Sequence, residues 1–443
     1  MERGTSPLLV DLYELTMAQA YLDAGLQDSR ATFSLFFRSL PPGWGYVLAA
    51  GLDDVLRYLE GFRFSRGDLG YLEETGRFTP ALLSYLEGLR FTGDVRAMRE
   101  GTPFFPVEPV LEVDAALIEG QLVETVVINL VHYQSLVAGK AARCVDAAEG
   151  RRLAEFGLRR THGLDAGLKA GRASYLAGFD ATSDVLAGKL YGIPLAGTMA
   201  HSFVESFSSE LEAFRAFARS YPDDAILLVD THDTLEGVRR AAVVGRELAE
   251  RGSRLQGVRL DSGDLAELSR RARAILDEAG LDDAIVFVSG GLDERDIARL
   301  LSEGAPIDGF GIGTKLTTSA DAPSLDMAYK LVELDGRPTL KVSAGKASLP
   351  GAKQVWRTTV DGQLAGDVVE LARAPAPEGA EPLLHEVMRD GTRVESEPLA
   401  VSRERAAAER SRLPATLRTL RAGAYDVLVG PVLAGLRDEL SVL

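Results

Sequence analysis

Cysteine is nearly missing from this chain: Cys144 is the only one in 443 residues. A single thiol closes no internal disulfide and builds no cysteine-based zinc site within one chain. Its apolar, helical surroundings mark Cys144 as a small buried hydrophobe. Positive charge is also scarce. Lys and Arg number 49 against 65 Asp and Glu, a formal net charge of −16. Non-specific binding to nucleic acid or to an anionic membrane needs the opposite balance. A small phosphorylated ligand stays possible, because a few arginines and backbone amides hold an anion locally. Long uncharged runs are lacking too. Residues 117–142 come nearest, but Glu119, Glu124, His132 and Lys140 interrupt them, which suits a buried helix better than a membrane span. The opening Met1-Glu2-Arg3-Gly4-Thr5-Ser6-Pro7 holds no apolar stretch of signal-peptide length. A cytoplasmic protein with no membrane or nucleic-acid partner is expected.

What is present is a change of rhythm along the chain. At the start, Asp11 and Glu14 have the spacing of a capping box, Leu12, Leu15, Ala18 and Leu22 recur at helical spacing, and Gly25 can end the helix. Residues 31–37 read as a strand, Pro41 to Gly45 as a rigid turn and 47–59 as a helix. Short strands fill 95–113, and Gly120 precedes a long helix over 121–142. Then short apolar runs alternate with helical ones. The strand candidates end near Phe156, Phe179, Gly197, Val229, Leu260, Val288 and Gly311. Their spacing of roughly 20 to 30 residues accommodates one strand, one helix and two loops, the repeat of a parallel sheet. Runs such as Ala225-Ile226-Leu227-Leu228-Val229 are apolar throughout, as strands covered on both faces are. In the tail, Asp335-Gly336 separates 329–334 from 339–342, and Asp361-Gly362 separates 355–360 from 364–371. Both are hairpin signals. A proline-rich loop over 374–382 leads to closing helices at 403–421 and 425–440, interrupted by Pro414 and Pro431. The expected fold class is therefore α/β. A parallel (β/α) barrel over 121–325 is set beside a second α+β domain built from 1–120 and 326–443.

Each apolar run is followed by polar or glycine residues. They are Glu155-Phe156-Gly157-Leu158-Arg159-Arg160, Asp180 with Thr182-Ser183-Asp184, and Gly197-Thr198-Met199-Ala200-His201-Ser202. Next come Asp230-Thr231-His232-Asp233, Arg259-Leu260-Asp261-Ser262-Gly263-Asp264, Ser289-Gly290-Gly291 and Gly309 to Lys315. Helix capping explains part of this and is the reading for Asp233, Asp264 and Asp293. Capping does not call for Arg159, Arg160, His201 or Arg259. A barrel brings all these ends to one rim, where active sites of this architecture lie. Ser289-Gly290-Gly291 and Gly311-Ile312-Gly313-Thr314 suit a phosphate approached by backbone amides. Tight turns needing positive φ are the plainer alternative for them. Asp230, Asp233, Asp261 and Asp264 could ligate magnesium or bind ribose hydroxyls. Arg259 and Asp261 share one strand face, so the aspartate could orient the guanidinium toward a carboxylate or phosphate. His201 reads as functional, His132 as structural, and His232 is open between the two.

Taken with Leu9-Val10-Asp11-Leu12-Tyr13-Glu14-Leu15-Thr16-Met17-Ala18, four of these motifs resemble nicotinate phosphoribosyltransferase. They are the ones around Glu155–Arg160, Gly197–Ser202, Arg259–Asp264 and Gly311–Thr314. The resemblance runs to about residue 360. It implies an irregular or incomplete barrel and a homodimer. The implied reaction forms nicotinate mononucleotide and pyrophosphate from nicotinate and phosphoribosyl pyrophosphate, coupled to ATP, with Mg2+. By the same resemblance His201 would be phosphorylated by ATP, and Tyr13 would reach a neighbouring subunit's site and stack on the pyridine. Phe156 would cover the other ring face. Arg159, Thr198 and Arg259 would surround the carboxylate, and Gly290, Gly291, Gly313 and Thr314 would hold the donor's phosphate end. Asp230 and Asp261 would face ribose or magnesium, though which aspartate binds metal is left open. Two departures stand out. The zinc knuckle of some relatives cannot form on one cysteine. Asp184 lies where a nicotinate enzyme would carry a neutral amide, so a nicotinamide phosphoribosyltransferase is the alternative. A quinolinate enzyme should be shorter and more basic, and a non-catalytic ligand-binding barrel is the remote alternative.

Overall fold

The computed structural model describes residues 6–341 and 348–441. The first five residues of the opening segment and Val342, the expected end of one hairpin strand, lie outside them. The chain divides into two compact units, 1–139 with 322–443, and 140–321. The division falls inside the helix Glu124–Ala147, later than the expected start of the barrel at 121.

The first unit carries a seven-stranded antiparallel sheet. Its order is Arg337–Pro338, Met327–Leu334, Arg30–Phe37, Leu111–Ala116, Asp94–Met98, Leu384–Arg389 and Thr392–Arg393. Asp335 and Gly336 both take positive φ (49° and 73°), and so do Asp361 and Gly362 (51° and 78°). Two successive left-handed residues give the turn whose twist matches the flanking strands. Asp390-Gly391, at 47° and 71°, makes a third such turn that the sequence reading did not single out. The first helix, Leu12–Asp23, is not closed by a capping box. Asp11 and Glu14 both accept from the Thr125 hydroxyl instead, at 2.8 and 2.6 Å. The helix expected over 47–59 starts only at Leu52. Val47–Leu48 pairs with Pro103–Phe104, and Gly51 at φ 98° makes the turn. A Cβ there would lie 2.4 Å from the Leu130 carbonyl oxygen. Pro431 opens the last helix, Pro431–Ser441, rather than interrupting it, and Val427–Val429 before it is a strand. A proline tolerated at the first turn explains the difference. The Nε2 of His132 accepts from the Leu325 amide at 2.9 Å, the structural role expected for it.

The second unit is an incomplete parallel barrel. Among the described residues six strands form its sheet: β1 Arg152–Glu155, β2 Ala181–Thr182, β3 Ile226–Leu228, β4 Gly257–Leu260, β5 Ile285–Val288 and β6 Gly309–Ile312. Their order is β2-β1-β6-β5-β4-β3, all parallel. The first strand pairs with the last, as closure of a barrel demands. The seventh expected strand, ending near Gly197, contributes only one bridge, Leu195 to Thr182. The sheet therefore stays open between that bridge and β3. Val258, Leu260, Val286, Val288, Phe310 and Ile312, on one face of their strands, are buried. Asp233, Asp264 and Asp293 cap the helices after β3, β4 and β5. Cys144 is buried, and burial first, then the charge of Glu294, holds its thiol well above the ordinary value. No helix among the described residues is long and apolar enough to cross a membrane.

Candidate active site

The carboxyl ends of these strands surround a cavity of about 580 Å3. Its walls include Phe156, Arg159, Thr198, His201 and Arg259 on one part, and Asp261, Gly290, Gly291, Gly313 and Thr314 on another. Ten of the thirteen residues singled out from sequence thus meet in one space. Asp230, Asp184 and Tyr13 do not line it.

Arg259 projects from the interior of β4. Its Nη1 donates to Thr198 Oγ1 at 2.8 Å and its Nη2 to the Met199 carbonyl at 3.0 Å. Its Nε is buried without a partner, and each Nη nitrogen keeps a second N–H for a ligand. Burial lowers its pKa, Asp261 and Asp230 oppose this, and the charge of Arg159 adds to it. The expected orientation of Arg259 by Asp261 is replaced by this Thr198–Met199 clamp. Asp261 is occupied elsewhere: its Oδ1 accepts from the Ser289 hydroxyl at 2.5 Å. Asp230, after β3, accepts from the Asp261 amide at 3.0 Å and the Ser262 hydroxyl at 2.6 Å, both through Oδ2. Its Oδ1 is buried and unpartnered. A chain of side chains therefore fixes the ends of β3, β4 and β5 to one another, and such cross-bracing holds a site to geometry.

The glycines act by absence. A Cβ on Gly311 would stand 2.5 Å from the Phe156 ring, and one on Gly309 would stand 2.8 Å from the Phe287 ring. Both lie on one face of β6 because side chains alternate along a strand. Their missing side chains make room for the two rings, whose centroids are 6.0 Å apart. Gly290 has φ 97°, and a Cβ there would lie 1.9 Å from the Asp261 carbonyl oxygen. That position admits no other residue without moving backbone.

His201 begins the short helix His201–Glu205, and its Nδ1 lies 3.1 Å from Thr231 Oγ1. Arg159 and Arg160 sit in the 3-10 turn Leu158–Arg160 with no buried residue among them. Asp184 is a buried helix cap whose Oδ1 accepts from the amides of Leu186 and Ala187 at 2.9 and 3.0 Å. Its neighbour Ser183 lines the cavity in its place. Tyr13 lies in the first unit, 46% exposed. Burial of its inner part, then Glu124 and Glu14, raises its phenol pKa.

Two groups within the strand-end motifs have a role that the sequence did not assign. Glu155, at the end of β1, is buried, accepts from Thr182 Oγ1 at 2.7 Å and also accepts from the Gly157 amide. Burial chiefly raises its carboxyl pKa. Its one signal was a carboxylate closing an apolar run. Thr231, the partner of His201, had none beyond its neighbours.

A carboxyl-end barrel cavity with converging arginines and two glycine loops defines an enzyme site for a small anionic substrate. Residues 8–132 match the family model described as the nicotinate phosphoribosyltransferase N-terminal domain, and residues 151–361 match that of the nicotinate phosphoribosyltransferase family. The nicotinate phosphoribosyltransferase pncB2 of Mycobacterium tuberculosis is 50% identical over 421 residues, covering 95% of this chain and 90% of that protein. The Bacillus subtilis nicotinate phosphoribosyltransferase is 45% identical over 79% of this chain and 72% of its own length. The crystal structure of human nicotinic acid phosphoribosyltransferase superposes with a TM-score of 0.88 at 34% identity, covering 97% of this chain and 99% of that one. The chain belongs to the nicotinate phosphoribosyltransferase family and is an enzyme of that type, acting in NAD biosynthesis. These matches favour the nicotinate reading over the nicotinamide one.

Proposed function

We propose that the cavity binds nicotinate against Arg259, Arg159 and Thr198 and transfers to its ring nitrogen the phosphoribosyl group of phosphoribosyl pyrophosphate. The observation that carries this is Arg259, clamped by Thr198 and the Met199 carbonyl yet lining the cavity with N–H groups to spare. A guanidinium so held matches a planar carboxylate. Phe156 supplies a ring face for the pyridine, and Tyr13 of a second subunit the other. Gly290, Gly291, Gly313 and Thr314 hold the donor's phosphate end through backbone amides. Rupture of the anomeric C–O bond builds positive charge on ribose and negative charge on the leaving pyrophosphate. Carboxylates near the sugar and amides at the pyrophosphate stabilise both. The pyridine nitrogen is itself the nucleophile, so no general base is required.

Among the described residues no group of three or more His, Cys, Asp or Glu side chains is arranged to hold a metal. The unpartnered Oδ1 of Asp230 and the carboxylate of Asp261 fit a magnesium ion that shares its coordination with substrate phosphates. When bound, that ion would supply charge for the leaving pyrophosphate. ATP coupling through phosphorylation of His201 belongs to the same reading. The Nδ1 contact to Thr231 leaves Nε2 as the nitrogen to be modified. The reading includes a homodimer and a cytoplasmic location, since the highly charged donor does not cross a bilayer unaided. Asp184 uses Oδ1 for its helix cap, and its Oδ2 is buried without a partner; the preference for nicotinate rests on the family and not on this residue. The deciding assay measures mononucleotide formation from nicotinate and from nicotinamide at equal concentration, with and without ATP. Faster turnover of nicotinate, stimulated by ATP, is expected. Preference for the amide would overturn the assignment of the acceptor.

A further inference from the structure

The helix Glu294–Ser302 begins three residues after Gly291 with three carboxylates in four positions, Asp293, Glu294 and Asp296. Asp293 and Asp296 form a capping box: Asp293 Oδ1 accepts from the Arg295 and Asp296 amides, and Asp296 Oδ2 accepts from the Asp293 amide. Such a cap stabilises the helix, but negative charge beside a loop that holds phosphate opposes its ligand. Each carboxylate has a cation from elsewhere in the unit. Glu294, fully buried, pairs with Lys140 at 2.6 Å and Arg143 at 3.1 Å. Asp296 and Asp293 pair with Lys315 at 2.8 and 3.2 Å. Lys315 directly follows Gly313-Thr314, the other glycine loop of the cavity. Among the described residues, of the three caps Asp233, Asp264 and Asp293, Asp293 alone receives a lysine from a different loop.

We propose that Lys315 is a positioning residue for the donor's phosphate end. It ties the Gly313-Thr314 loop to the helix after Gly290-Gly291 and cancels the charge of the capping box beside them. Its ammonium is held by the two aspartates and so acts through the loops and the local field, not by touching the ligand. The Lys315 side chain is 38% exposed, and pairs of that kind contribute little to stability. The effect therefore falls on donor binding rather than on folding. This rests on the reading that the two glycine loops hold phosphate.

The test is steady-state kinetics of the full-length enzyme with Lys315→Met, Lys315→Arg and the double variant Lys315→Met/Asp296→Asn. Lys315→Met should raise KM for phosphoribosyl pyrophosphate about tenfold, roughly one electrostatic contact's worth, with kcat and KM for nicotinate unchanged. Lys315→Arg should stay within about twofold of the parent. The double variant should recover most of the loss, because one carboxylate charge leaves with the ammonium. An unchanged donor KM in Lys315→Met overturns the proposal. So does a parallel rise in both KM values, or no recovery in the double variant. Should the parent enzyme transfer no phosphoribosyl group at all, the functional reading itself falls. Calorimetric binding of pyrophosphate to the parent and to Lys315→Met then tests the electrostatic role separately, and equal affinities refute it.

Discussion

The incomplete barrel has a cavity at each end of its strands, and the two are nearly equal in size. The carboxyl-end cavity measures about 580 Å3 and the one lined by Arg152, Arg273, Asp283 and Asp308 about 570 Å3. Both are rich in charge. They differ in what the charged groups are doing. At the amino end, all three guanidinium nitrogens of Arg273 have a partner, Asp277 and the carbonyls of Leu281 and Ala284, and Asp308 accepts from the Val286 amide. These are the bonds that close loops. At the carboxyl end, Arg259 is held by two partners with N–H groups left over, Asp230 has an unpaired oxygen, and glycines keep backbone uncovered. Volume and charge do not distinguish a site from a cleft here; among the described residues, buried polar atoms without a partner, the Arg259 Nε and the Asp230 Oδ1, occur at the carboxyl end and not among the residues lining the amino-end cavity.

The sharpest way to break that contrast is to remove one arginine from each end. Arg259→Ala should lower kcat/KM for nicotinate by about 100-fold, the loss of a charged hydrogen-bonded contact. Arg273→Ala should leave the kinetics within about twofold while lowering the thermal midpoint. Equal kinetic losses from both variants would erase the distinction. Gly290→Ala comes next. Its Cβ must displace the Asp261 carbonyl, so a loss of about tenfold or more in donor kcat/KM is expected. Alanine at the exposed Gly304, also at positive φ but with open space around it, should cost stability only. His201→Ala should abolish ATP stimulation and ATP-dependent labelling while mononucleotide formation persists at the unstimulated rate. Acid-labile phosphate retained by that variant would refute its role.

The smallest expected effect lies in the first unit. Burial chiefly, with Glu124 and Asp11, raises the Glu14 carboxyl from 4.5 to about 7 against the Thr125 hydrogen bond. The folded state then binds a proton more tightly than the unfolded state does. Stability from Glu14 is full below about pH 4.5 and is lost as pH rises through about 7. Glu14→Gln should flatten the fall of the thermal midpoint over that window. An unaltered slope would show that the carboxyl titrates as in water.

The strand ends were legible because a parallel sheet buries its interior. Near-continuous apolar runs announce strands, and whatever polar residue follows must lie on the rim. Hence Arg159, Thr198, His201, Arg259 and Asp261 stand out in the sequence, and all five line one cavity. The run ending at Gly197, Ile193-Pro194-Leu195-Ala196, is apolar too, but it is short and carries a proline without a ladder N–H, and it supplies only a single bridge. Composition marks an apolar segment and does not say whether a neighbour is there to pair with it. At Asp184 a related ambiguity holds: a carboxylate after a strand can face a ligand or turn back to its own helix, and here Oδ1 caps the helix while Oδ2 is buried without a partner.

The sequence by itself therefore determined the repeat of strand and helix, the rim chemistry, the hairpin turns at Asp-Gly pairs and the resemblance that pointed to a family. These depend on residues close in the chain, where period and turn preference act directly. Only the tertiary structure decided who partners whom. It gave Arg259 to Thr198 rather than to Asp261, joined Asp230 to the Asp261 amide, and set Lys315 against a capping box 19 residues away. Hydrogen bonds between side chains on different strands carry no local signature, because each residue's choice depends on every other group that the closing sheet brings within reach.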